Sequence, residues 1–171
     1  MKNDQPGRGI DEGSAMLKLE IPGLGNLALA HLVLDYNGTL AVDGHVLEGV
    51  HDELQTLAEH LEIHVVTGNT HGDAQLRLEG WKIRLTCLPP LGQAQAKKDY
   101  VEKLGSNRTV AIGNGRNDAP MLKAAAIGIA VLGSEGLAVD AFRDADIVVR
   151  HPIDALGLLL HPTRLIASMR G

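Results

Sequence analysis

The chain of 171 residues is about one domain long, and its 44% hydrophobic content suits a single globular core. Sixteen Lys and Arg against 21 Asp and Glu leave a net charge of −5. There is thus no basic field to gather nucleic acid, and Tyr36, Trp81, Tyr100 and Phe142 are too few aromatics to build base-stacking platforms. A single cysteine, Cys87, excludes an internal disulfide and a multi-cysteine zinc site, and is expected to be a packing residue in a reducing compartment.

Residues 1–15 hold Gly7, Gly9 and Gly13 among polar neighbours, show no period, and are expected to be a flexible tail without the apolar stretch of a secretory signal. Leu17 to Ile21 and Leu27 to Asp35, separated by Pro22-Gly23 and Gly25-Asn26, predict a β-hairpin entering a sheet. Helical spacing of Val50, Leu54, Leu57 and Leu61 precedes the β-branched run Ile63 to Thr67, and a second helical pattern (Ala74, Leu76, Leu78) follows. The series continues with a strand at Trp81 to Leu85, a Pro89-Pro90 loop, a helix from Gln93 to Leu104, and a strand at Thr109 to Ile112. A helix around Pro120 to Ala126 and a strand at Ile127 to Val131 come next, then a helix near Leu137 to Phe142 and a strand at Ile147 to Val149. The chain ends in a helical region from Ile153 to Met169. Apolar strands alternating with helices predict an α/β fold: a three-layer, Rossmann-like, doubly wound parallel sheet in one domain over residues 16–171. No apolar run approaches the roughly 18 residues of a membrane span, so a cytoplasmic protein without membrane insertion is expected.

In such a sheet, ligands bind at the carboxyl ends of the strands. The first of these ends is Asp35-Tyr36-Asn37-Gly38-Thr39, a carboxylate followed by a glycine turn whose backbone amides can face an anion. Thr67-Gly68 offers a hydroxyl at the next, and Gly113-Asn114-Gly115-Arg116-Asn117-Asp118 supplies an amide oxygen and a carboxylate four residues apart. With a lysine such as Lys97, or its competitor Lys98, these groups compose a site for a phosphoryl group and Mg²⁺. Arg116 suits either substrate phosphate or the wet face of a helix. The eight histidines form no recognisable ligand pair and are expected on the surface or in packing.

Taken in order, Asp35-Tyr36-Asn37-Gly38-Thr39, Thr67-Gly68, Lys97 and Gly113-Asn114-Gly115-Arg116-Asn117-Asp118-Ala119-Pro120 resemble the four motifs of the haloacid dehalogenase superfamily of phosphotransferases. Within it the chain looks like the soluble, P-type-ATPase-like phosphatases, which are similar to the phosphorylation domain of ion pumps. The resemblance implies a capless domain in which Asp35 is the nucleophile that forms an aspartyl-phosphate. It implies that Asp35, the backbone carbonyl of Asn37, Asn114 and Asp118 bind Mg²⁺, and that Thr67 holds a phosphoryl oxygen while Lys97 balances the charge. Gly38, Thr39, Gly68 and Asn117 would then line the phosphate site.

Two amides depart from the pattern. Asn37 stands where many of these phosphatases carry an aspartate that protonates the leaving group and activates water, and an amide transfers no proton at neutral pH. Asn114 stands where a metal-binding aspartate is usual. A slow enzyme is expected. The intervals from Asp35 to Thr67 and from Thr67 to Lys97 are used up by predicted elements, which leaves no room for a cap domain; the site should be open, and closed by a subunit of a homo-oligomer or by a large substrate. No nucleotide-binding insertion is present to grip adenine. A phosphorylated substrate is expected, and metabolite phosphates, phosphoproteins and aryl phosphates all fit. The competing readings are a catalytically weak regulatory or binding module of the same fold, and an ATP hydrolase resembling the ion-pump domain.

Overall fold

A computed structural model describes residues 16–68 and 73–171. The tail expected over residues 1–15 lies outside them. The chain opens with a hairpin, β1 (Leu17–Ile21) against β2 (Gly25–Leu29), turned by Gly23 and Gly25 at positive φ. It is a separate two-stranded sheet and does not extend the main one as the sequence suggested. At Ala30 the chain changes partners: its N–H donates to the Arg108 carbonyl (2.9 Å) and its carbonyl accepts from Glu62 (2.8 Å), so the apolar run from Leu27 splits into two strands.

Beyond Ala30 come β3 (His31–Leu34), a short hairpin of β4 (Ala41–Val42) and β5 (His45–Val46), helix α1 (Val50–Leu57) and β6 (Glu62–Thr67). Helix α2 (Asp73–Arg77), β7 (Arg84–Cys87), α3 (Gln93–Leu104) and β8 (Thr109–Gly113) follow, then α4 (Ala119–Ala124) and β9 (Ile127–Val131). The last elements are α5 (Val139–Asp144), β10 (Ile147–Val149), α6 (Pro152–Leu160) and α7 (Pro162–Met169). Six strands form one parallel sheet in the order β10-β9-β8-β3-β6-β7, so the first of them in sequence is central.

Strand periodicity sorts the side chains onto two faces. Leu32, Leu34, Ile63, Val65, Ile112 and Ile129 pack in a cluster with α1, α6, α7 and the inner side of the hairpin. Val33, Val66, Ala111 and Ala130 meet Val101 of α3, Met121 and Leu122 of α4 and Ala141 of α5. The second face is built from smaller residues, so its helices ride close. At Gly128 of β9 an added Cβ would lie 2.4 Å from the Leu122 carbonyl oxygen.

Other expectations shift. The strand placed at Trp81 to Leu85 begins at Arg84, because Trp81 closes the turn after α2 and packs edge-on against His51 with ring centroids 4.6 Å apart. Cys87 is exposed and not packed, since it ends an edge strand with a neighbour on one side only. The terminal helical region divides at His161, where Pro162 opens α7.

Candidate active site

β3 lies between β6 and β8, where chain connections run toward opposite edges of the sheet and leave a crevice at the carboxyl ends. Asp35 follows β3 directly, its N–H donating to the Ile112 carbonyl of β8 (3.0 Å). The chain then winds tightly: the Tyr36 carbonyl accepts from the amides of Thr39, Leu40 and Ala41 (3.3, 2.9 and 3.0 Å). Gly38 permits this at φ +74°, and any Cβ there would fall 2.3 Å from Asn114 Nδ2, so the loop sits directly on Asn114.

The amides of Gly38 and Thr39 are spent on this turn, the first donating to Ala41 O at 2.7 Å and the second to Tyr36 O. They close the loop and do not face outward. The Thr39 hydroxyl is 3.5 Å from Asn114 Oδ1, and Asn37, half-buried, bridges to Ala41 through its backbone.

Lys97 enters from α3. It is fully buried, and its Nζ donates to Asp35 Oδ1 and to Asp118 Oδ1, both at 2.6 Å. Lys98 points away to an exposed pairing with Glu102 at 3.5 Å, so Lys97 is the one of the two lysines brought to Asp35. The second oxygen of Asp118 accepts from the amides of Asn114 (2.9 Å) and Gly115 (2.8 Å). Gly113 is a glycine for this reason, because a Cβ on it would meet the Asp118 side chain at 2.6 Å.

Asp35, Lys97 and Asp118 thus hold two carboxylates around one ammonium, out of water. Burial, and then the charge of Asp118, push Asp35 up to about 7 despite the opposing pull of Lys97. Burial acts to lower Lys97 as well, but the two carboxylates overcome it and hold the ammonium above the ordinary lysine range. When both carboxylates are ionised, the cluster carries more negative charge than its single cation balances.

That surplus, with oxygen donors on Asp35, Asn114 and Asp118 and the Asn37 carbonyl nearby in sequence, suits a hard divalent cation. Asp118 is the most committed of these groups, since both of its oxygens already serve protein donors.

Thr67 ends β6, buried, and its carbonyl accepts from Leu88 N at 2.8 Å. A Cβ on the following Gly68 would meet Gln93 Nε2 at 2.4 Å, and Gln93 Oε1 accepts from Asn117 Nδ2 at 3.0 Å. Gln93 thereby links the Thr67-Gly68 end to the Asn117 loop. Its only trace in the sequence is its place at the start of the α3 pattern. Gly136 also escapes notice in the sequence, yet its carbonyl accepts from Asn114 Nδ2 at 3.1 Å and fixes which way that amide points. Arg116 is exposed and pairs with Asp140 at 2.9 Å.

Residues 94–140, covering most of α3 through the start of α5, match the family model of haloacid dehalogenase-like hydrolases. Over 65 residues the chain is 46% identical to an uncharacterised protein of Methanocaldococcus jannaschii, a match covering 38% of this chain and 70% of that one. Among solved structures it is similar to 3-deoxy-D-manno-octulosonate 8-phosphate phosphatase of Moraxella catarrhalis, in complex with magnesium ion, phosphate ion and KDO. That likeness has a TM-score of 0.60 at 18% identity and covers 83% of this chain and 94% of the phosphatase. It is also similar to a zinc-transporting PIB-type ATPase, with a TM-score of 0.58 at 25% identity, over 72% of this chain and 20% of the pump. Among the described residues, no helix is long and apolar enough to cross a membrane.

Proposed function

We propose that the chain, whose residues 94–140 match the haloacid dehalogenase-like hydrolases, is a Mg²⁺-dependent phosphatase working through an aspartyl-phosphate on Asp35. The observation that carries the reading is the buried Lys97 ammonium held at 2.6 Å between the Asp35 and Asp118 carboxylates, at the crevice beside the central strand. Asp35, the Asn37 carbonyl, Asn114 and Asp118 would hold Mg²⁺. When bound, the ion supplies positive charge to the phosphoryl oxygens.

Asp35 attacks phosphorus through a carboxylate oxygen, the bond from phosphorus to the leaving oxygen breaks, and the phosphoryl group is left on the aspartate. Lys97 offsets the charge gathered on Asp35 and the transferring group, and the Thr67 hydroxyl donates to a phosphoryl oxygen. Besides offering oxygen to the ion, Asp118 grips Lys97 and the Asn114 and Gly115 amides and so fixes their positions. Water then cleaves the aspartyl-phosphate and releases inorganic phosphate.

The Asn37 amide neither gives a proton to the leaving oxygen nor takes one from water. Leaving groups that depart as stable anions, as from acyl and aryl phosphates, are accordingly favoured over alkyl phosphates, and the second step limits turnover. The neighbour named as a phosphatase of a sugar acid phosphate and the neighbour named as an ATPase both support phosphoryl chemistry on this fold.

The test is to incubate the purified chain with Mg²⁺ and a labelled acyl phosphate and quench with acid. An acid-stable, hydroxylamine-labile phosphoprotein is expected from the wild type, and Asp35→Asn should reduce phosphoenzyme formation more than about a thousandfold. Substantial labelling of Asp35→Asn would remove Asp35 as nucleophile.

A further inference from the structure

At the opposite end of the two strands that present Asp35 and Thr67, three side chains converge for which the reaction has no use. His31 opens β3 and lies in register with Glu62, which opens β6, while His64 follows two residues later on the same face of β6. One face of two adjacent parallel strands therefore presents two imidazoles and a carboxylate. His31 Nδ1 is 3.3 Å from His64 Nε2 and 3.4 Å from Glu62 Oε2, and His64 Nε2 is 3.6 Å from the same oxygen.

We propose that His31, Glu62 and His64 form a second metal site, distinct from the phosphoryl site, that takes Zn²⁺ or a like first-row divalent ion. Zinc bonds of about 2.0–2.1 Å at tetrahedral angles separate ligand atoms by about 3.3–3.4 Å, so the three separations describe one face of a zinc tetrahedron within a few tenths of an ångström. Two imidazoles with one carboxylate select a transition ion over Mg²⁺ or Ca²⁺, which prefer all-oxygen shells.

The supporting contacts are also of the kind that metal ligands use. The Tyr100 hydroxyl oxygen of α3 is 3.0 Å from His64 Nδ1 and accepts from it in the tautomer that leaves Nε2 free to ligate. Arg84 Nη2 donates to Glu62 Oε1 at 3.3 Å, leaving Oε2 as the ligating oxygen. His64 is buried, His31 nearly so, and Glu62 half-exposed, so an ion enters from the Glu62 side and solvent fills its fourth position. The positive field of Arg84 and Arg108 opposes the ion, and the Glu62 carboxylate offsets it.

The proposal is independent of the phosphatase reading and is tested without any turnover. Co²⁺ is titrated into the full chain, stripped with chelator and held in excess Mg²⁺ so that the oxygen-donor cluster is occupied, and the absorption of tetrahedral Co²⁺ is followed. One equivalent should give tetrahedral bands that Zn²⁺ abolishes, in the wild type and in Asp35→Asn alike. Glu62→Gln, at the half-exposed position, and His31→Gln should each weaken binding at least about tenfold, with circular dichroism confirming that each remains folded. Absence of tetrahedral bands, or bands of unchanged affinity in both variants, would overturn the site.

Discussion

In the proposed mechanism the rate rests on Asn37. If its amide leaves the aspartyl-phosphate without a base to activate water, Asn37→Asp supplies one beside both the leaving oxygen and the attacking water. Decay of the phosphoenzyme should then quicken by about a hundredfold in single-turnover experiments at saturating Mg²⁺. An unchanged decay rate with the phosphoenzyme still forming would show that another group activates water. Formation is expected to suffer slightly, because a new carboxylate adds repulsion to a cluster already short of positive charge. Lys97 carries the opposite kind of burden: Lys97→Met leaves Asp35 and Asp118 buried without their cation. The expected loss is about 3–5 kcal/mol of stability in chemical denaturation, and a loss below about 1 kcal/mol would mean that the two carboxylates are not held ionised around it.

Among the elements, β9 and α4 make the most demanding contact. Gly128 faces the Leu122 carbonyl so closely that Gly128→Ala must push helix from sheet, and about 1–3 kcal/mol should be lost in a denaturant titration. A neutral result would show that α4 gives way freely. Element types were largely legible in the sequence because the β-branched run Ile63 to Thr67 and the apolar run Ile127 to Val131 stand between helical patterns. What escaped depends on register or on local backbone geometry. The β4–β5 hairpin is two residues a side and has no period to detect, and the split at Ala30 follows from partners at Arg108 and Glu62 far along the chain. The Asp35–Lys97–Asp118 cluster was readable because Asp35 and Asp118 are motif residues in the loops after β3 and β8 and Lys97 falls within the helical pattern of α3. The trio of His31, Glu62 and His64 was not, because only the pairing of β3 with β6 makes neighbours of residues more than thirty apart.

Over the molecule as a whole, acid should be felt first through the inner imidazole of that trio. Burial, and then its neighbour His31, lower His64 to about 4 from an ordinary value of 6.5. The unfolded chain therefore binds a proton at this position between these values while the folded chain does not, so stability falls as pH drops from about 6.5 toward 4, by up to about 3 kcal/mol. Asp35 works the other way: raised to about 7, it binds its proton more tightly when folded and favours the native state as pH falls below that value. The two effects can be separated by comparing melting temperatures at pH 7 and pH 5 in chelator for the wild type and Asp35→Asn. The variant should lose more on acidification, and a smaller loss in the variant would refute the assignment of opposing signs.

The Asp43-Gly44 turn of the β4–β5 hairpin also makes this architecture open to remodelling. Its strands leave and return side by side, both turn residues adopt positive φ, and Asp43 is exposed while its N–H rests on Glu135 of the loop that steadies Asn114. A polypeptide module with adjacent termini can be spliced in there as a graft, overhanging the crevice while the Tyr36 carbonyl keeps the Asp35 loop wound beneath it. Selectivity for the organic part of a substrate would in this way be exchanged like a fitting, without rebuilding the groups proposed to handle its phosphorus.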